Sequence, residues 1–177
     1  MAPRMSYTYS HLEDLIQKIY HELNIHNPNE LTPNSIAESL NIGIYPVITS
    51  SQALQFEGRY YIFLNNSLTA SERFEMFVHE LGHILMHTGN QQHMKEDYRT
   101  YQEWKANLFA LHFCVPTFML QKLPAYHLND HKISDLFGVT SDFACKRLNL
   151  NHQRILQYQS MKILQRRTKN YYRTFYI

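Results

Sequence analysis

Cysteine is scarce: only Cys114 and Cys145 occur in 177 residues, without CxxC or CxxH spacing. That excludes a disulfide framework. Set in apolar stretches, both read as buried free thiols in a reducing compartment. A chain this long buries roughly 70% of its unfolded surface, so one hydrophobic core suffices without a covalent staple. Long apolar runs are also missing. No stretch approaches the roughly 18 uninterrupted apolar residues of a membrane span, and the opening MAPRMSYTYSHLEDL holds no apolar signal region. The expectation is a cytoplasmic protein with no membrane partner. Repeats, low-complexity tracts and long linkers are absent as well.

Acid is missing from the end of the chain, where Asp142 is the last acidic residue. Residues 1–142 hold 9 Lys/Arg against 15 Asp/Glu, a net −6, and residues 143–177 hold 8 Lys/Arg and no acid, a net +8. Those cations are Lys146, Arg147, Arg154, Lys162, Arg166, Arg167, Lys169 and Arg173, interleaved with Tyr158, Tyr171, Tyr172, Phe175 and Tyr176. Such a tail suits nucleic acid, an acidic partner surface, or docking on its own acidic body. The plainer alternative is a solvated helix whose charge offsets that body.

What is present reads as helix with a little sheet. Ser10 and Glu13 form a capping box ahead of Leu12, Leu15, Ile16, Ile19, Tyr20 and Leu23 at helical spacing. Thr32–Pro33 opens a short helix through Ile36, Ala37 and Leu40. NIGIYPVI and LQFEGRYYIFLNN read as strands of a small sheet, with Pro46 marking the first as an edge. A helix should run from Thr69 or Ser71 to a C-terminal glycine at Gly89. NQQHMKEDY is then a polar connection, and YQEWKANLFALHF a further helix that ends before Pro116. DHKISDLFG, TSDFACKRLNL and a longer helix from Asn151 towards Arg167 complete an α+β chain in which helix predominates. Residues 1–125 form the main domain, and 126–177 a C-terminal helical segment with a basic tail, packed on the same core.

FVHELGHILMHTG, residues 77–89, contains H-E-x-x-H at His79, Glu80 and His83. Two histidines one turn apart share a helix face and can hold one zinc ion, while the adjacent glutamate reaches the water that the ion activates. Strong apolar flanks and the small Gly82 place the motif on a packed helix. Without an ion, the pair would be satisfied core histidines. A catalytic zinc needs a third protein ligand and an open fourth position. His87 shares the face, but its Cα stands about 12 Å along the axis from that of His79. In the last turn it suits the helix dipole instead. Glu103 is the better candidate, from a separate helix packed antiparallel. Ala106 would permit close approach, and Asn107 would accept the second ring N–H of a ligating histidine.

HELGHILMH followed by EWKANLFALHFCVP resembles the ImmA/IrrE family of metallopeptidases, whose pattern is HELGH, a short connection, then E-x-x-A-N-x-F-A leading to a proline. YYIFLNNSLTASERFEMFVHELGH upstream and ISDLFGVTSDFACKRL downstream extend the similarity to about residues 32–150. Thr140 stands where the family more often has Ser, and His112 and Cys114 stand where it is usually aliphatic. The resemblance implies a helix-rich zincin-like domain with a helix-turn-helix-like C-terminal element. It implies zinc on His79, His83 and Glu103, with Glu80 as general base. It also implies a DNA-binding repressor of a phage, mobile element or stress regulon as the protein that is cut or antagonised.

The oxyanion donor is one of Tyr60, Tyr61, His93 and Tyr98, and the strand Tyr60–Leu64 could pair with an extended substrate. Two other functions compete. One is a DNA-binding regulator with a structural zinc, exposing Ser141, Asp142, Lys146 and Asn149 to the major groove and using the tail for phosphates. The other is a non-catalytic zincin-scaffold partner of a toxin-antitoxin or repressor pair, against which an intact Glu80 weighs.

Overall fold

Capping chemistry sets where the helices begin. The computed structural model describes residues 7–86 and 96–175, the stretch 169–175 as backbone alone. In α1 (His11–Glu22) the Ser10 hydroxyl accepts from the Glu13 N–H while the Glu13 carboxylate accepts from the Ser10 N–H, the expected box. Thr32 caps α2 (Pro33–Ser39), which has proline in its first turn. Thr69 and Glu72 make the same reciprocal pair at the head of α3 (Ala70–Met86), at 3.4 and 2.9 Å. The next helix, α4 (Glu96–Cys114), starts earlier than its apolar spacing suggests, since Glu96 and Asp97 in its first turn favour the helix dipole. Pro116 then heads the short α5 (Thr117–Leu120).

Gly138, at φ 67°, ends α6 (Asp130–Phe137) in the left-handed conformation. The final helix, α7 (Ser141–Phe175), is one continuous element of 35 residues rather than two. No glycine or proline interrupts it, and Asn149 and Asn151 cost only a few tenths of a kcal/mol each in propensity. Its start is held from a distance: the Thr140 N–H donates to the Glu75 carboxylate of α3 at 2.6 Å.

The sheet has the order β1-β3-β2, with β1 (Ile42–Val47) parallel and β2 (Gln52–Phe56) antiparallel to β3 (Arg59–Asn65). Glu57 and Gly58, at φ 47° and 76°, supply the two left-handed positions of a type I′ hairpin turn. Pro46 lies on an edge strand, where its missing N–H breaks no central ladder. Because β3 is central and paired on both sides, Tyr60–Leu64 cannot take on a substrate strand; β2 carries a free edge instead.

Ile62 and Leu64 of β3 point to the face that packs on α3, where they join Phe74, Phe77, Val78 and Leu81. Phe109 and Phe113 of α4 and Ile16 and Tyr20 of α1 close the same core. Ile133, Phe137, Val139 and Ala144 belong to that cluster too, so residues on both sides of position 125 share one core. Cys114 is buried, but Cys145 is exposed. Its neighbours Ala144 and Arg147 take the inward side of α7, and a rotation of about 100° per residue turns position 145 outward. Among the described residues, no helix is long and apolar enough to cross a membrane.

Candidate metal centre

α3 and α4 run antiparallel, and the contact between them is close because Gly82 faces Ala106 and Phe109. A Cβ at Gly82 would lie 3.1 Å from the Phe109 ring, 3.3 Å from the Ala106 Cα and 3.4 Å from the Ala106 carbonyl oxygen. That approach brings Glu103 of α4 over His79 and His83, one turn apart on α3. The Nε2 atoms of the two histidines are 3.1 Å apart, and the Glu103 carboxylate oxygens stand 3.3 Å from His79 and 3.4 Å from His83. A tetrahedral ion with arms of about 2.05 Å would have ligand atoms about 3.3 Å apart. The three donors therefore fit one face of such a tetrahedron, and among the described residues they form a group able to hold a metal.

Gly82→Ala should test this spacing. The added methyl meets backbone, so the two helices must separate by tenths of an ångström and the donors with them. We expect metal affinity to fall by roughly 10–100-fold while far-UV circular dichroism is retained. Unchanged affinity would show that the helices absorb the methyl without moving the donors.

The surroundings tune the donors. The His79 Nδ1–H donates to the Asn107 amide oxygen at 3.1 Å, which leaves the Nε2 lone pair facing Glu103. Glu80, on the same turn as His79, is only 7% exposed. Its carboxylate accepts the Ala53 N–H of β2, so that backbone group serves Glu80 and not the ladder. Burial pushes the Glu80 carboxyl up to about 7; the Ala53 hydrogen bond opposes the shift, and the nearby Glu103 charge adds to it.

His79, Glu80, His83, Glu103 and Asn107 thus come together. His87 and His93, with Gly89, lie outside the described residues. Two of the oxyanion candidates point elsewhere. Tyr61 projects from the sheet face opposite Ile62, away from α3, and Tyr98 is exposed about 140° around α4 from Glu103. Tyr60 shares the face of Ile62 and Leu64. The part played by Ala53 was not visible in the sequence, because a backbone contact selects no side chain.

The IrrE N-terminal-like domain model (Peptidase_M78) matches residues 41–149, which include all five of these residues. The chain is 35% identical over 157 residues to "Uncharacterized protein YqaB" of Bacillus subtilis (strain 168), covering 87% of this chain and 91% of that protein. It is 38% identical over 158 residues to the "Phage-like element PBSX protein XkdA" of the same organism, covering 88% and 80%. "Uncharacterized immunity region protein 2" of Bacillus phage phi105 is 27% identical over 146 residues, covering 77% and 88%. Matched across more than half its length, and with relatives aligned nearly end to end, the chain belongs to the Peptidase_M78 family, that of the IrrE N-terminal-like domain.

Proposed function

We propose that this chain is a zinc-dependent metalloendopeptidase that cuts, and so inactivates, a cognate helix-turn-helix repressor of a phage or mobile element. The observation that carries the reading is the donor triangle of His79, His83 and Glu103 with the buried Glu80 beside it. Two imidazoles and one carboxylate leave a fourth position open, as a catalytic zinc requires. The bound ion would supply Lewis acidity, polarising the scissile carbonyl and making the attacking water acidic near neutral pH.

The chain's own residues do the rest. Asn107 fixes the ring of His79, and Glu80 takes the proton of the attacking water and hands it to the leaving amine. The Ala53 N–H holds one oxygen of that carboxylate and so aims the other. Since Ala53 touches Glu80, the free edge of β2 runs beside the reacting groups, and an extended substrate added there presents its backbone to them. Tyr60 is the donor favoured for the oxyanion. The names of two relatives, a phage-like element protein and an immunity region protein, support a partner in the control of such elements.

Purified protein should hold about one zinc per chain, and His83→Ala and Glu103→Ala should each lose both metal and activity. Full zinc and activity in Glu103→Ala would remove it from the ligand set. Incubated with a repressor encoded next to its gene and with casein, the enzyme should cut the repressor once and leave casein largely intact. Digestion of casein at many sites with the repressor untouched would discard the repressor reading. The regulator alternative gains little from α7: Ser141, Asp142, Lys146 and Asn149 are exposed, but Lys146 is paired with Asp142, whose charge would face phosphates. Sequence-specific DNA binding that survives removal of zinc would favour it.

A further inference from the structure

α7 is about 52 Å long, and its outer half carries apolar surface that stays exposed among the described residues. Met161 is 58% exposed and Leu164 61%, with Leu156 and Ile163 about half exposed. No acid follows Asp142, so the only charges on this stretch are cationic. Where α7 leaves the body it meets the N-terminal strap. The Arg154 guanidinium lies 5.9 Å from the Tyr7 ring and 3.6 Å from Glu13, and the Lys162 ammonium sits 4.8 Å over the Tyr158 ring. Between strap and helix opens a groove of about 560 Å³ lined by Tyr7, Tyr9, Arg154, Tyr158, Met161 and Lys162.

We infer that this groove and the adjoining face of α7 form the docking site for an acidic amphipathic segment of the partner protein. The inference rests on the peptidase reading, because it supplies the grip that brings a partner to the metal. Charge complementarity names the occupant. Carboxylates answer Arg154 and Lys162, while apolar side chains cover Met161 and Leu164 and gain from their removal from water. A second copy of this helix would set like charges against each other. A nucleic acid would leave Met161 and Leu164 against phosphates, with no apolar gain. The volume accepts one or two side chains and not a folded domain, so the segment is a helix or turn that protrudes. Holding the partner here as well as at β2 raises its effective concentration at the scissile bond.

The test uses fluorescein-labelled EELLEELLEELL, its basic counterpart KKLLKKLLKKLL and a random DNA duplex, each titrated against the intact zinc-loaded protein. The acidic peptide should bind at least ~10-fold tighter than either other probe and weaken as salt rises. The Met161→Asp/Lys162→Glu variant should lose ~10-fold or more of that affinity. Its melting temperature should match the wild type, since Met161 is exposed and Lys162 half-buried. Equal binding of the acidic and basic peptides, tighter binding of DNA, or an unaffected variant would overturn the docking site. Zinc content and repressor cutting, measured on the same samples, separate the two ideas. Absent peptide binding with intact cutting sinks the groove alone, whereas selective peptide binding without cutting sinks the peptidase alone.

Discussion

Glu80→Gln should bind zinc as the wild type does and cut its substrate roughly 10²–10⁴-fold more slowly. Metal retention follows from geometry: the donor group is His79, His83 and Glu103, and the Glu80 carboxylate is not among them. Glutamine has the volume of glutamate, so a site only 7% exposed accepts it without a cavity, and its amide oxygen still accepts the Ala53 N–H. The amide cannot take a proton at any working pH. The wild-type carboxyl, raised by burial to about 7, can both accept and release one near neutrality. Metal analysis and single-turnover cleavage on the same preparation give the answer. A variant that keeps more than about a tenth of the wild-type rate would remove Glu80 from proton transfer. The same variant should hold the repressor uncut, which makes it a capture reagent for the partner.

The legible part of this site was local. His79, Glu80 and His83 could be read because one helical turn sets their spacing, and Glu103 because Ala106 and Asn107 follow it at positions that make sense only against a second helix. The α+β class was legible for the same reason: capping pairs and alternation act over three or four residues. Strand order was not. The hairpin of β2 and β3 announces their pairing, but nothing within it says that β1 joins β3, which makes β3 central and leaves β2 at an edge; that depends on where Ile42 and Ile44 find a face to cover. The choice between Tyr60 and Tyr61 was closed for a similar reason, since a tyrosine in a strand does not reveal which face meets α3. Charge misled most. In the sequence Arg147 falls among the cations of the basic tail, yet it is fully buried and joined through the Thr117 hydroxyl to Glu13 of α1, near the other end of the chain.

That buried group should produce the largest stability effect in the molecule. Arg147 donates from Nε to the Val115 carbonyl at 2.9 Å and from Nη2 to the Thr117 hydroxyl at 2.8 Å, and Thr117 donates onward to Glu13. Glu13, 4% exposed, also accepts from Tyr7 at 2.7 Å and from the Ser10 N–H and hydroxyl at 2.8 Å. Burial pushes the Arg147 guanidinium down to about 10, so it stays charged at neutral pH, and Glu13→Gln leaves that charge without an anion. The cost should be roughly 3–5 kcal/mol, a fall in melting temperature on the order of 10 °C. The double variant Glu13→Leu/Arg147→Met, with neither charge to bury, should be more stable than either single change. A double variant no better than the singles would show that the polar contacts, and not charge balance, dominate.

Acid should act on the same cluster. Burial alone would raise the Glu13 carboxyl, but hydrogen bonds from Thr117, Ser10 and Tyr7 outweigh it and hold it down at about 2, against 4.5 in an unconstrained chain. His112, 3.7 Å from Glu13 and 3% exposed, is driven down by burial and by the Arg147 charge to about 3, against 6.5. In both cases the unfolded chain binds the proton first as pH falls, so both groups destabilise the fold on acidification. His112 should start the decline below about pH 6.5, and Glu13 should steepen it between about 4.5 and 2. His112→Phe fills a similar space and removes a buried Nδ1 that has no hydrogen-bond partner among the described residues. It should keep neutral-pH stability and flatten the limb between pH 6.5 and 4.5 while leaving the Glu13 limb in place. Urea unfolding across that range would read both limbs, and an unchanged slope in the variant would mean that another group takes up the proton.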